Sequence, residues 1–201
     1  MPSSADIIRH DSSPPPPGQT PWVGPQPAPT VIKVVEADPG WPELYADVAG
    51  RITGALGPAV VALDHVGSTS VPGLPAKPII DVDLTVADPA DEPAWLPALT
   101  DAGFRLVIRE PWWHEHRCLV LDSPRSNVHV FGPDSPELVR HRIFRDWLRQ
   151  HPEDAALYAN AKHGAAAEST AVGEGMMAYN RRKESVIHDI YNRAFLDAGL
   201  L

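Results

Sequence analysis

Apolar and polar positions alternate along this chain in a way that predicts a strand-rich middle followed by a helical end. Leu44, Val48, Ile52 and Leu56 recur every four residues, the spacing of one buried helix face, and Gly57-Pro58 stops that helix. Asp38, just before Gly40-Trp41-Pro42, is its candidate cap. Short runs rich in β-branched residues predict strands at 31–35, 59–66, 79–86, 104–108, 117–121 and 128–131. A helix over 94–102 ends at Gly103, and Ser123-Pro124-Arg125-Ser126-Asn127 reads as a hairpin loop. From Ser135-Pro136-Glu137 onward the pattern is helical, with a second start at His151-Pro152-Glu153 and a third near Gly173. The expected class is α+β: a mixed sheet of about five strands flanked by helices, with a helical C-terminal half.

Composition sets the first 29 residues apart. Pro14-Pro15-Pro16-Pro17, Pro21, Pro25, Pro27 and Pro29 stand among Ser, Gly and Gln, which favours extended backbone and cannot build a core. Residues 1–29 are therefore expected to be a disordered or loosely docked tail, and 30–201 the folded domain. Trp22 is the tail's candidate anchor, on its own domain or as part of a proline-rich ligand for a partner. A chain of 201 residues suits one core. A net charge of −9 argues against non-specific binding to nucleic acid, yet allows a small anion carried with a metal. No window has the apolar length of a membrane span, and the N-terminus lacks the order of a secretory signal, so a cytoplasmic location is expected. Cys118 is the sole cysteine, which excludes an intrachain disulfide and predicts a buried thiol in a strand.

The candidate chemistry lies between His65 and Val86. Gly67-Ser68-Thr69-Ser70 forms a turn between two strands, where glycine lets backbone approach a bulky anion and N–H groups and hydroxyls can hold phosphate oxygens. On the next strand, Asp81 and Asp83 share one face because side chains alternate with period two. Mg²⁺ or Mn²⁺ is commonly held by one or two carboxylates together with substrate phosphates. Asp81 and Asp83 are thus the expected metal ligands for a nucleoside triphosphate.

The pattern H-V-G-S-T-S-V-P-G-L-x-A-K-P-I-I-D-V-D resembles the GrpB family, which is similar to the nucleotidyltransferase superfamily with its Gly-Ser turn and Asp-x-Asp strand. Asn127-Val128-His129-Val130-Phe131, the run Phe144 to Pro152, Tyr158, Lys162, Tyr179-Asn180, Lys183 and Ile187 extend the resemblance over roughly residues 31 to 195. It implies a nucleotidyltransferase-like fold and a triphosphate-handling site, and related domains occur fused to dephospho-CoA kinases. Lys77, Lys162 and Lys183 match family positions, which makes them candidates for neutralising phosphate, and Arg117 and Arg142 join them as basic candidates. The implied activity is metal-dependent nucleotidyl transfer from a nucleoside triphosphate to an unidentified small acceptor. A non-catalytic nucleotide-binding module and a metal-dependent phosphohydrolase remain open beside it.

Many nucleotidyltransferases carry a third carboxylate on a later strand, where this chain has Asn127 and His129. His129 is either a base or ligand, or a histidine satisfied at the sheet edge. Glu115 and Asp122 are possible substitutes for the missing acid. In Trp112-Trp113-His114-Glu115-His116-Arg117, the tryptophans can stack on a ligand or cover core, and His114 and His116 with His129 could form a zinc site. Arg140, Arg142, Arg145 and Arg149 cannot all face one site, and Ile143, Phe144, Trp147 and Leu148 read as a core stripe.

Overall fold

The computed structural model describes residues 1–10, 13–26 and 31–201; Pro27, Pro29 and Thr30, around the expected end of the tail, lie outside the described residues. Five strands, β1 (Ala62–Val66), β2 (Ile80–Thr85), β3 (Arg105–Glu110), β4 (His116–Leu121) and β5 (Ser126–Phe131), form one sheet in the order β1-β2-β5-β4-β3. Only β2 and β5 run parallel; the other neighbours are antiparallel, so the sheet is mixed. Helices α1 (Ser4–Ile8), α2 (Trp41–Leu56), α3 (Leu96–Asp101), α4 (Pro136–Gln150), α5 (Pro152–Ala171) and α6 (Met176–Asp197) flank it. The α+β class and the helical C-terminal half are as the sequence predicts.

Period two splits the sheet into unlike faces. Val82, Leu84, Leu119, Leu121, Val128 and Val130 pack with Trp41, Val48, Ile52 and Leu56 of α2 and with Leu99 of α3 in the main core. On the other face the register aligns Asp64 with Asp83, Asp81 with Asn127, Asp83 with His129, and His129 with Cys118. A row of polar side chains can lie inside the molecule only if something pairs with it. That cover comes from α4, α5 and α6, whose own apolar contacts gather around Leu148, Tyr158, Ile190, Tyr191 and Phe195. Asp154, in the first turn of α5, accepts from Trp147 Nε1 at 2.7 Å and from Arg193 at 2.6 and 3.0 Å, tying the three helices together.

Several element ends shift from the sequence expectation. Residues 31–35 form no strand; only Val35 bridges, to Ala76. Residues 57–59 form a 3₁₀ turn, which delays β1 to Ala62. In α2 the buried stripe is Trp41, Val48, Ile52 and Leu56, while Leu44 is exposed. The cap is Gly40, whose N–H donates to Asp38 Oδ1 at 2.8 Å.

The N-terminal segment makes specific contacts. Ile7 packs on Tyr191 and Phe195, and the Arg140 guanidinium donates to the carbonyls of Asp6, Ile7 and Arg9. Further along, Trp22 bridges Ile108 of β3 in antiparallel fashion, with Val23 N donating to Val107 O and Arg109 N to Pro21 O. No helix among the described residues is long and apolar enough to cross a membrane.

Candidate functional site

β1 ends in a tight turn. Gly67 has φ 67° and ψ −171°, and residues Ser68–Ser70 make one 3₁₀ turn. A methyl group at Gly67 would stand 2.5 Å from Asp81 Oδ2, so glycine is what lets the turn lie directly on the Asp81 carboxylate. The turn is braced from within: Ser70 Oγ donates to Gly67 O at 2.6 Å, and Thr69 Oγ1 lies 3.0 Å from His65 Nε2 and 3.3 Å from Ile79 O. Both hydroxyls are committed to the fold, and Ser68 is the half-buried one that faces the cleft.

A cleft of about 320 Å³ opens beside this turn, lined by Gly67 and Ser68, by Lys77, Asp81, Asn127 and His129, and by side chains of the three covering helices. Each helix contributes along one stripe. His141 comes from α4, Tyr158 and Lys162 lie four apart on α5, and Met176, Tyr179, Asn180 and Lys183 follow the i, i+3, i+4, i+7 spacing on α6. Three lysines from three parts of the chain thus meet in one hollow.

Carboxylates hold one end of the cleft. Asp81 Oδ1 accepts from Asn127 Nδ2 at 2.9 Å. Burial raises the Asp81 pKa, against the lowering effect of that hydrogen bond and of the Lys77 charge. Asp83 is 1% exposed; its Oδ2 pairs with His141 Nδ1 at 2.8 Å, while Oδ1 has no hydrogen-bond partner among the described residues. Burial opposes protonation of His141, but the charge and hydrogen bond of Asp83 outweigh it and leave the His141 pKa raised. An orphaned, buried carboxylate oxygen next to a second carboxylate is a donor set that suits Mg²⁺ or Mn²⁺, with phosphate and water completing the shell. Among the described residues no three His, Cys, Asp or Glu side chains converge as a ready-made metal cage. His116 and His129 contact each other at 3.0 Å, and His114 lies in the left-handed turn before β4, so the three do not assemble a zinc site.

The lysines hold the other end. Burial lowers the pKa of Lys77 to about 8, that of Lys162 to about 7 and that of Lys183 to about 8; the neighbouring ammonium groups add to this for Lys77 and Lys162, while Asp81 opposes it for Lys77 and Lys183. Lys162 donates to Pro75 O, and Lys77 Nζ lies 2.9 Å from Met176 Sδ. Tyr158 and Tyr179 offer their ring faces, at 4.5 Å from Lys162 Nζ and Lys183 Nζ respectively. Rings stabilise a cation less than a carboxylate does, so three crowded ammonium groups keep a demand for negative charge.

The family described as GrpB protein matches residues 31–193. The chain belongs to the GrpB family. A UPF0157 protein of Halalkalibacterium halodurans is 42% identical over 163 residues, covering 81% of this chain and 82% of that one. A UPF0157 protein of Streptomyces coelicolor is 39% identical, covering 81% and 84%. The crystal structure of conserved protein GrpB from Enterococcus faecalis matches with a TM-score of 0.71 at 27% identity, over 83% of this chain and 99% of that chain. A dephospho-CoA kinase of Mycolicibacterium paratuberculosis is 30% identical over 190 residues, of which this chain spans only 46% of the kinase.

Within this GrpB-family fold, Gly67, Ser68, Thr69, Lys77, Asp81, His129, Lys162 and Lys183 line one cleft, and Asp83 adjoins it through His141. Ser70, Arg117 and Arg142 do not line it. Arg117 pairs in the ladder with Val130, on the core-facing side of the sheet, and its guanidinium binds Glu92 at 2.6 Å. Arg142 reaches Asp64 at 3.3 Å from a partly exposed position on α4. Glu115 is paired with Arg117, and Asp122 is exposed near Arg105. Trp113 packs edge-on against His116 and Phe131. Neither His141 nor Asp64 was among the candidates read from the sequence. Asp64 is a third carboxylate on the polar face, but Arg142 and Arg145 each hold it at 3.3 Å. Its place in the strand before the turn, with the parity of Val66, was the available signal.

Proposed function

We propose that this GrpB-family protein binds a metal-complexed nucleoside triphosphate and transfers its nucleotidyl group to a small acceptor. The supporting observation is that the Gly67-Ser68 turn, the Asp81 carboxylate and Lys77, Lys162 and Lys183 line one cleft, with buried Asp83 adjoining it through His141. In this reading the turn grips the phosphates and Asp81 and Asp83 hold Mg²⁺, which when bound supplies charge stabilisation at the phosphate oxygens. Lys77, Lys162 and Lys183 neutralise the departing pyrophosphate. His129 stands at the cleft wall, with its pKa lowered to about 3 chiefly by removal from water, which keeps the ring neutral and able to accept a hydrogen bond from an acceptor hydroxyl.

One observation favours a second reading, a nucleotide-binding module without turnover: the position beside Asp81 holds Asn127, and Asp64, the carboxylate on the neighbouring strand of that face, is tied up by two arginines. The test is a thermal-shift series with ATP, GTP, CTP and UTP, with and without Mg²⁺ or Mn²⁺. A metal-dependent rise with at least one nucleotide, lost in Asp81→Asn, is expected; no rise with any of them rejects both readings. Acceptor-dependent pyrophosphate release then separates the transferase from the module.

A further inference from the structure

A line of hydrogen-bonded side chains crosses the polar face of the sheet from its outer strand to the cleft. Glu110 on β3 and His116 on β4 are ladder partners, and Glu110 Oε2 lies 2.7 Å from His116 Nδ1. His116 Nε2 lies 3.0 Å from His129 Nδ1 on β5, with the two rings stacked at 5.3 Å between centroids. His129 lines the cleft and pairs in the ladder with Asp83. Glu110 and His116 themselves do not reach the cleft, so phosphate and metal binding give them no role.

The direction of the protons along this line follows from donor and acceptor chemistry. An ionised carboxylate only accepts, so the hydrogen in the Glu110 contact sits on His116 Nδ1. In neutral His116 the other nitrogen, Nε2, is then an acceptor, and the 3.0 Å contact requires the hydrogen on His129 Nδ1. A neutral His129 protonated at Nδ1 has a bare Nε2. We infer that Glu110 and His116 are positioning residues that lock His129 in the tautomer with Nδ1 protonated and present an unprotonated Nε2 to the cleft. The arrangement gives the His129 ring one orientation and one polarity, as the partner of a catalytic or ligating imidazole commonly does. If Nε2 takes a proton from a bound hydroxyl, the Nδ1 proton can pass to His116 Nε2. The positive charge then rests on His116 beside the Glu110 carboxylate and not on the ring at the cleft.

Only the use made of Nε2 rests on the triphosphate reading; the tautomer itself does not. The experiment is long-range ¹H–¹⁵N NMR of the full chain with ¹⁵N-labelled histidine at pH 8.5, with His129 assigned by the signal lost in His129→Asn. The expected wild-type result is His129 with Nδ1 protonated and Nε2 bare. In His116→Phe and in Glu110→Ala the pattern shifts toward the form protonated at Nε2, which a free imidazole side chain prefers. A wild-type His129 protonated at Nε2 overturns the inference, as does a tautomer unchanged in Glu110→Ala. The wild type and Glu110→Ala decide the matter even if His116→Phe fails to fold. Absence of any nucleotide binding would reject the proposed function and leave this result standing.

Discussion

At Gly67 the backbone is left-handed, and any side chain would press on Asp81 Oδ2. Gly67→Ala combines the strain of a positive φ with a contact that must move the carboxylate, so it is expected to cost about 1–3 kcal/mol of stability. Urea denaturation measures that loss, and the same variant should lose the metal-dependent thermal shift even where it remains folded. An unchanged denaturation midpoint would show that the turn does not press on Asp81. The residues of this corner were legible in the sequence because they are close in the chain and obey local rules: a glycine turn, then two acids two apart. His141 was not, because its meeting with Asp83 depends on how α4 crosses the sheet. Nor was the placement of Arg117. Its parity with respect to His129 is set by the β4–β5 register, which no single strand reveals.

For the helices, the sequence carried the starts and the apolar stripes but not what the stripes cover. Pro136 and Pro152 open α4 and α5 as expected for first-turn prolines. Phe144, Trp147 and Leu148 indeed pack in the core under the helices. The predicted strand at 31–35 failed for an opposite reason. Its β-branched run has a single bridge, Val35 to Ala76, while Ile32 is buried instead against Ala165, Ala166 and Tyr179. A run of that composition records burial, and burial under helices looks the same as burial in a sheet. Docking of α1 depends on a side chain far away in sequence. Arg140→Ala removes the donors to the carbonyls of Asp6, Ile7 and Arg9. It is expected to cost about 1.5–3 kcal/mol and to open residues 1–10 to limited proteolysis, while wild-type protein resists cleavage there. Equal cleavage rates in the two proteins would contradict this role for Arg140.

Across the whole molecule, one face of the sheet is an apolar core and the other a charged interior whose cost is stored in the lysines. Unfolded lysine titrates at about 10.4, whereas burial puts Lys162 at about 7 and Lys77 and Lys183 at about 8. Between those values the unfolded chain binds more protons than the folded one, so the lysines make stability rise with pH from 7 to about 10. Below that window the full penalty of burying three cations applies. Denaturation midpoints across the range should show this rise, with a smaller slope in Lys162→Met; an identical slope in the variant would remove Lys162 as its source. A bound polyanion favours the protonated lysines, so its affinity should fall over the same pH range.

The bridge between Trp22 and Ile108 also has a consequence for solubility. β3 is the last strand of the sheet, and its outward N–H and C=O groups would otherwise offer a template to any extended peptide, including another copy of β3. Pro21, Trp22 and Val23 occupy that template with the chain's own backbone, and the prolines around them cannot pass a ladder onward. The proline-rich start of the chain thereby works as a terminator of sheet growth. A protein lacking residues 1–29 is expected to keep its strands and to self-associate in a concentration-dependent manner in sedimentation velocity, at concentrations where the full chain sediments as a single smaller species.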